Sequence, residues 1–352
     1  MNAPIPIALM GLGWVGTHRH AKAIARNPDF RLVGVIDRNA DRARMMGEKL
    51  NVPHISHADR IPNVPWLQEA AAITIATPPN LHCELTIDAL ARGLHVLTEK
   101  PFAMQRHEGQ LMTQRARDAG KILAVTHNFQ FSRSAQCLAH DMDSGRLGRL
   151  SRIHAVQLSN PRRRLPSWYE SLPAGLFYDE SPHLLYLIRR FAPGALELAQ
   201  TTILPSRHGA NTPSLVQARY RCVGAEGELP VTLDMHFDAP LSEWHLIVYG
   251  ENAMGVVDIF RDIYLRLPND GLHVTGTVLR SSLLATTQHW FQHFTSGIQH
   301  LLGKLDYGNN EIYRRFAEAI RTGKAPIGMD TEAALDVLNM QHDILEQGST
   351  VR

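Results

Sequence analysis

The segment Ile7-Ala8-Leu9-Met10-Gly11-Leu12-Gly13-Trp14-Val15-Gly16 decides the fold of the N-terminal part of this 352-residue chain. Its apolar residues suit a strand buried on both faces, and three glycines follow at once with the spacing GxGxxG. The first glycine allows a tight turn, the second lets the backbone approach a pyrophosphate, and the third lets a helix pack closely on the strand. The free amides at the start of that helix would bind the phosphates.

A second apolar run, residues 32–36, ends in Asp37, roughly twenty residues after the last glycine. A carboxylate at this place can accept hydrogen bonds from both adenosine ribose hydroxyls and would repel a 2′-phosphate, so the sequence favours NAD over NADP. Arg38 could pair with a 2′-phosphate, which keeps the NADP alternative open. A less favoured interpretation is that the glycine turn binds no ligand and that Asp37 only caps the next helix.

Two more predicted strands, residues 72–77 and 94–98, end in proline-containing turns. The first continues as Thr77-Pro78-Pro79-Asn80-Leu81-His82, in which Asn80 is predicted to cap a helix that Gly93 then ends. The second continues as Glu99-Lys100-Pro101. Ligands of open α/β sheets bind at the carboxyl ends of the strands, so Lys100 is the predicted reacting side chain. Two interpretations of the loop at Pro78 are equally supported by its residues. It either passes under a bound nicotinamide or is an ordinary rigid turn.

Length and composition predict two domains, a dinucleotide-binding domain over residues 1–126 and a substrate-binding and oligomerisation domain over residues 127–352. The net charge of +2 argues against a nucleic acid or an anionic membrane as partner. Three widely spaced cysteines suit a reducing cytosol, and the 19 histidines show no metal-ligand spacing. With no secretion signal and no apolar stretch long enough to span a bilayer, we expect a cytoplasmic protein that binds no metal and no membrane.

The second half of the chain begins with a predicted strand at residues 151–158 and an irregular basic stretch from Asn160 to Tyr169. Its arginines, Arg162, Arg163 and Arg164, could bind a carboxylate or phosphate, but a solvated or oligomer-facing loop is an equal alternative. Ser181-Pro182 predicts a helix start. The first helical turn would then contain His183 and favour its neutral form, with Asp179 four residues earlier.

The remaining segments predict an antiparallel sheet followed by helices. Apolar and polar residues alternate over residues 216–222, 231–237 and 244–248, the pattern of a sheet covered on one face. Residues 278–302 form a predicted apolar helix whose aromatic residues suit a core or subunit contact better than a membrane anchor. Closing helices are predicted over residues 310–321 and 331–347.

Together these motifs resemble those of the glucose–fructose oxidoreductase / inositol dehydrogenase / MocA-like family. The matching residues are Gly11 to Gly16 with His20-Ala21, Asp37, Thr77 to His82, Glu99-Lys100-Pro101, Asn128 to Phe131 and Asp179 to His183. The resemblance implies an α/β protein with an N-terminal Rossmann, doubly wound parallel sheet. It further implies a C-terminal α/β domain whose large, mostly antiparallel open-faced sheet makes homodimer or homotetramer contacts.

The same resemblance implies hydride transfer between NAD or NADP and a hydroxyl-bearing carbon of a sugar, cyclitol or nucleotide-sugar type substrate. The expected cofactor-binding residues are Gly11, Gly13, Trp14, Val15, Gly16, Asp37, Arg38, Thr77, Pro78, Asn80, His82, Glu99 and Lys100. The expected catalytic residues are Lys100, His183 and Asp179. With the basic stretch included, the expected substrate-binding residues are Asn128, Arg163, Trp168, Asp179 and His183.

Several choices stay open at this point. Lys100 and His183 are expected to meet over the nicotinamide, and either one could be the general base. Gln130, Arg133, Ser181 and Tyr186 depart from the residues usual in the family, so the substrate class is less defined than the cofactor. An NAD-dependent glycoside hydrolase of the same fold and a non-catalytic dinucleotide-binding regulator are the two alternative functions.

Overall fold

A computed structural model describes residues 3–57, 59–163, 165–207, 209–225 and 227–349. The chain forms two compact units. The first runs to Asn128 and also takes in Gly308–Asn339, and the second comprises Phe129–Tyr307 and the C-terminal residues from Met340 onward. These units differ from the predicted domains because residues 308–339 return to the first unit, where Tyr313 and Phe316 are fully buried.

The first unit contains a sheet of six parallel strands. They are β1 (Ile5–Met10), β2 (Phe30–Asp37), β3 (His54–Ser56), β4 (Ala72–Ile75), β5 (His95–Thr98) and β6 (Leu123–Val125). Their order, β3-β2-β1-β4-β5-β6, confirms the predicted doubly wound Rossmann sheet. The strand order reverses between β1 and β4, and the carboxyl ends at this reversal are where such sheets bind ligands.

The second unit contains a sheet of seven strands. They are β7 (Leu150–Leu158), β8 (Ala195–Leu204), β9 (Leu215–Gly224), β10 (Gly227–His236), β11 (Glu243–Gly250), β12 (Ala253–Asp258) and β13 (Ile263–Pro268). Their order is β13-β12-β11-β7-β10-β9-β8. Only the β7–β10 pair among these described strands is parallel, which confirms the predicted large, mostly antiparallel sheet.

Helices surround both sheets. They are α1 (Ala21–Arg26), α2 (Ala40–Leu50), α3 (His82–Ala91), α4 (Arg106–Asp118), α5 (Arg133–Asp143), α6 (Leu176–Phe191), α7 (Thr275–Leu301), α8 (Asn309–Thr322) and α9 (Thr331–Ser349). A π-helical turn at Gly16–His20 leads into α1. Over the described ranges, no helix combines the length and apolarity that crossing a bilayer requires.

The start of α3 differs from the prediction. Asn80 is not its cap, because Pro79–Leu81 form a 3-10 turn and the helix begins at His82 without a side-chain cap. Gly93 has a φ of +77° immediately after this helix, which confirms its predicted left-handed conformation.

The start of α6 was also predicted wrongly. The helix begins at Leu176, and Pro182 lies inside it. Two distant side chains make this arrangement stable. Thr212 Oγ1 accepts the Leu176 N–H at 2.9 Å, and Gln341 Nε2 donates to Tyr178 O at 2.7 Å. Proline lacks the N–H that would bond to this carbonyl four residues earlier, so the Gln341 amide replaces the missing donor.

Candidate active site

The glycine turn after β1 has the close contacts that its sequence predicts. Gly11 has a φ of +92°, and a Cβ there would lie 2.4 Å from the Ala76 carbonyl oxygen. A Cβ on Gly16 would lie 1.9 Å from Gly11 O, whereas a Cβ on Gly13 would meet no heavy atom within 4 Å. The first and third glycines therefore permit backbone packing, and the second faces open space. That open space suits a diphosphate.

Trp14 and Val15 follow on the open side of this turn. Trp14 is 62% exposed, its ring stacks on His18 with centroids 5.3 Å apart, and the Arg19 guanidinium lies 5.1 Å from its centroid. This stack leaves the start of the helix accessible from solvent. The contacts of Trp14 and Val15 with the phosphates stay predictions.

Asp37 is bonded directly to the glycine turn. Its Oδ2 accepts the Leu12 N–H at 2.6 Å, its Oδ1 accepts the Asn39 N–H at 2.8 Å, and Arg42 Nη1 lies 3.5 Å from Oδ2. A carboxylate has about four acceptor positions, so lone pairs remain for ribose hydroxyls. Arg38 is exposed beside it. The arrangement fits an adenosine ribose.

His82 joins the two proline turns. Its Nε2 lies 2.9 Å from Thr77 O and its Nδ1 lies 2.8 Å from Pro101 O. Burial lowers the pKa of His82, and the two carbonyl contacts oppose that effect. The fully buried ring thus holds the Thr77 loop against the turn that contains Lys100. Pro78 is half-buried and Asn80 is exposed on this loop.

Thr77 offers a second sign that a ligand fits beside the glycine turn. Its Oγ1 is buried and has no hydrogen-bond partner among the described residues. Buried hydroxyls are normally paired, so this atom is suited to a polar group of the cofactor. Together with the open space at Gly13, the residues present fit a dinucleotide.

A buried polar network lies behind Lys100. His20 Nε2 is 2.8 Å from Glu99 Oε1, His20 Nδ1 is 2.9 Å from the Tyr313 hydroxyl, and that hydroxyl is 3.0 Å from Thr74 Oγ1. Glu99 Oε2 accepts the Lys100 N–H at 3.1 Å. Burial alone would raise the pKa of Glu99, but the interactions with His20 and Lys100 lower it. The ionised carboxylate fixes the backbone of Lys100, whose side chain is half-buried.

Tyr313 completes this buried network, and the sequence motifs did not identify it. It lies on α8, more than two hundred residues from the motifs that it supports, and it is fully buried. The apolar periodicity of α8 predicts that the Tyr313 ring is packed in the core, but it does not predict which residues its hydroxyl bonds to. Asn128, predicted to bind substrate, is buried at the end of the first unit, and that role stays a prediction.

In the second unit, Asp179 and His183 lie one turn apart on α6. Both are half-buried, whereas Glu180 and Tyr186 on the same helix are buried. The spacing of four residues places Asp179 and His183 on one face of the helix. The prediction that His183 lies in the first helical turn, where the helix dipole would favour its neutral form, was wrong. The helix begins at Leu176, so His183 lies beyond the first turn.

Aromatic residues and one hydroxyl fix the His183 ring. Its Nδ1 lies 2.9 Å from the Tyr186 hydroxyl, which also accepts the Phe129 N–H at 3.0 Å. The ring centroid is 4.7 Å from that of Phe129 and 5.5 Å from that of Trp244. Tyr186 is one of the residues that depart from the family pattern, and here it supplies the partner of His183.

Arg163 is paired with a buried carboxylate. Its Nη2 lies 2.8 Å from Glu180 Oε1, its Nη1 donates to Ser159 Oγ at 2.7 Å, and Gln157 Nε2 also donates to Glu180. The ion pair gives Arg163 a structural role, and its predicted contact with substrate stays a prediction. Arg164 lies outside the described residues.

Trp168, the remaining predicted substrate contact, lies in a 3-10 turn at Ser167–Ser171 that follows the basic stretch. Its side chain is 38% exposed. An indole at this exposure can present both an apolar face and an N–H donor. Its contact with substrate stays a prediction.

Comparisons with known proteins agree with this geometry. Residues 5–127 match an oxidoreductase family with an NAD-binding Rossmann fold. The D-glucoside 3-dehydrogenase of Escherichia coli strain K12 is 29% identical over 167 residues, 47% of this chain and 46% of that protein. The scyllo-inositol 2-dehydrogenase (NAD(+)) of Bacillus subtilis strain 168 is 24% identical over 352 residues, 96% of this chain and 92% of that protein.

A solved structure shows the same fold over the whole chain. The WlbA dehydrogenase of Bordetella pertussis, in complex with NADH and UDP-GlcNAcA, gives a TM-score of 0.76 at 18% identity, covering 99% of this chain and 97% of that one. The chain spans about half the length of the first curated relatives that it matches. The matched region, residues 5–127, is the part of the chain that contains the six-stranded parallel sheet, and its similarity is to an NAD-binding Rossmann fold.

Proposed function

We propose that the protein is an NAD(P)-dependent oxidoreductase that acts on a hydroxyl-bearing carbon of a sugar, cyclitol or nucleotide-sugar type substrate. The observation that carries the proposal is the position of Lys100. It follows β5 at the same sheet edge as the glycine turn, and the Glu99–His20–Tyr313 network anchors its backbone. The substrates named for D-glucoside 3-dehydrogenase and scyllo-inositol 2-dehydrogenase support the substrate class.

The first unit would hold the dinucleotide. Gly13, Trp14 and Val15 would contact its diphosphate, Asp37 its adenosine ribose, and the Thr77–His82 loop its nicotinamide end. When bound, the nicotinamide supplies the acceptor or donor of hydride. Because Asp37 presents a negative charge to the 2′ position, we infer a preference for NAD over NADP.

Lys100 and His183 are the residues proposed to handle the substrate proton. In the oxidation direction the hydroxyl proton passes to one of these nitrogens while the hydrogen on the same carbon leaves as hydride. His183 Nδ1 is bonded to Tyr186, so proton exchange at this residue would use Nε2. Asp179, one helical turn earlier, would hold a substrate hydroxyl by accepting its hydrogen bond.

The experiment is a substrate screen on the full chain. Cyclitols, glucosides and nucleotide sugars are incubated with NAD⁺ or NADP⁺, and NADH absorbance is followed. Lys100→Met should lower turnover by roughly 10²–10⁴-fold. It should change NADH binding far less than turnover, as measured by quenching of tryptophan fluorescence. Lys22→Met, on the exposed side of α1, is the matched control.

Each other outcome has a defined meaning. Glycoside cleavage without accumulated NADH would identify the glycoside hydrolase alternative. Dinucleotide binding without turnover of any polyol or sugar would identify the regulator. Full turnover by Lys100→Met would remove Lys100 from the mechanism.

We also infer a homodimer or homotetramer formed through the open face of the seven-stranded sheet. Support comes from a half-buried polar network on that sheet, in which Asp234 lies 2.6 Å from His154 Nε2 and 2.5 Å from Gln217 Nε2. Both partners lower the pKa of Asp234, with His154 contributing most, so the carboxylate is ionised and each of its oxygens accepts one hydrogen bond. Light scattering on the purified chain measures the number of copies.

A cytoplasmic location is inferred from the cysteines. Cys83, Cys137 and Cys222 are free thiols in the structure, and a reducing compartment would keep them so. Fractionation of the native host tests this inference.

A further inference from the structure

Helix α7 carries an apolar face that the described residues leave uncovered. Seven of its large side chains are between 50% and 86% exposed: Leu279, Leu283, Trp290, Phe291, Phe294, Ile298 and Leu301. Ser296 is the one buried side chain on this helix. Exposed apolar patches larger than a few hundred Å² mark interaction sites on stable proteins.

Two glutamines prevent α7 from rotating this face inward. Gln288 accepts the Arg266 N–H at 3.0 Å and donates to Arg266 O at 3.1 Å. Gln292 accepts the Tyr264 N–H at 2.9 Å and donates to Tyr264 O at 2.5 Å. Both partners lie on β13, the edge strand of the sheet, so the glutamine amides replace a neighbouring strand. By helix periodicity, five of the exposed apolar residues lie on the side of the helix opposite to these glutamines: Leu279, Leu283, Trp290, Phe294 and Leu301. Phe291 and Ile298 flank these five.

The charge of α7 restricts what can cover it. Within Thr275–Leu301 the single charged residue is Arg280, and no acidic residue occurs. Helices that lie on membrane surfaces combine an apolar face with a strongly charged one, which α7 lacks. A charged protein surface would find almost no opposite charges on α7 with which to form ion pairs. The face suits an apolar surface like itself.

We propose that the α7 face binds the α7 face of a second copy of this chain, with the two helices antiparallel about a two-fold axis. Such a contact is self-complementary because the same patch serves both copies. With the axis beside Trp290, Leu279 of each copy lies opposite Leu301 of the other. The exposed apolar side chains total roughly 600–800 Å² per copy, close to a standard protein interface.

Sedimentation velocity of the full chain tests the proposal. The double variant Trp290→Glu/Phe294→Glu should halve the mass of the assembly and weaken association at least 100-fold, because it would bury unpaired charges. Ile327→Glu, 78% exposed and outside α7, is the control and should keep the wild-type mass. An unchanged mass in the double variant would overturn the proposal. The same holds for a wild-type chain that is monomeric and floats with phosphatidylglycerol-containing vesicles.

A cross-linking variant decides the question even where the charged variant fails to fold. Trp290→Cys should form a disulfide-linked dimer under mild oxidation, since the axis brings the two copies of this position together. Leu272→Cys, 92% exposed but outside α7, should remain uncross-linked over the same time. Equal rates for the two variants would contradict the two-fold arrangement. The test does not depend on enzymatic activity.

Discussion

The turns of the first unit and helix α6 of the second unit place their proposed functional residues by different physical means. Gly11 directly follows β1 and Lys100 lies two residues after β5, so strand ends and local turn chemistry fix them. Asp179 and His183 lie inside α6, whose first amide is held by Thr212 and whose proline is accommodated by Gln341. Local rules therefore predict the first set, whereas the second depends on residues far away in sequence.

The largest expected effect tests the second region. His183→Asn should lower kcat by about 10³-fold, because it removes a proposed proton acceptor at Nε2. Tyr186→Phe, which removes only the hydroxyl partner of Nδ1, should lower kcat about tenfold. Steady-state kinetics on a substrate from the screen measures both. A His183→Asn enzyme within threefold of wild type would exclude the proposed role.

The next effect tests the turn of the first region. Gly11→Ala should lower the free energy of unfolding by about 3 kcal/mol or more, because the new Cβ would meet Ala76 O in a left-handed backbone conformation. Gly13→Ala, where the new Cβ meets nothing, should keep its stability but bind NADH at least tenfold more weakly. Urea unfolding and NADH titration separate the two. Similar stability losses in both variants would contradict the assignment of separate roles.

A smaller effect tests the distant support of α6. Gln341→Leu should destabilise the second unit by about 2 kcal/mol, because it removes the amide that donates to Tyr178 O and to Ser181 Oγ. Pro182→Ala should recover much of that loss in the double variant, since it restores the backbone N–H to the helix. A double-mutant cycle by urea unfolding measures the coupling. Additive effects would show that Gln341 does not compensate for Pro182.

The smallest effect concerns pH. Burial, aided by Lys121, lowers the pKa of His95 from its ordinary value of 6.5 to about 4, and His95 Nδ1 accepts the Ile122 N–H at 3.0 Å. Between these two values the unfolded chain binds more protons, so stability falls as pH falls through this window. We expect the free energy of unfolding to fall by about 1 kcal/mol, a small loss because the ring is partly exposed to solvent.

Urea unfolding at pH 7 and pH 5 measures this loss, which His95→Gln should reduce. His107→Gln, on the exposed side of α4, is the control and should behave as wild type. Equal pH dependence in the wild type and His95→Gln would refute this account of His95.

Most of the fold could be predicted because its signals are local. Period-two alternation indicated the second sheet, and apolar runs followed by turns indicated the first. One error is local, since Asn80 does not cap α3 because the preceding proline begins a 3-10 turn. The other depends on a non-local contact, since Thr212 accepts the N–H of Leu176 and α6 begins there, five residues before Ser181.

By itself, the sequence determined the glycine turn, the acidic residue after β2 and the lysine after β5, since each depends on chain neighbours and strand polarity. Tertiary structure alone decided that Tyr313 completes the network behind Glu99, that Glu180 neutralises Arg163, and that Gln288 and Gln292 fix the rotation of α7. Hydrogen bonds between distant residues depend on how whole elements pack, and hydrophobic periodicity contains no information about such partners.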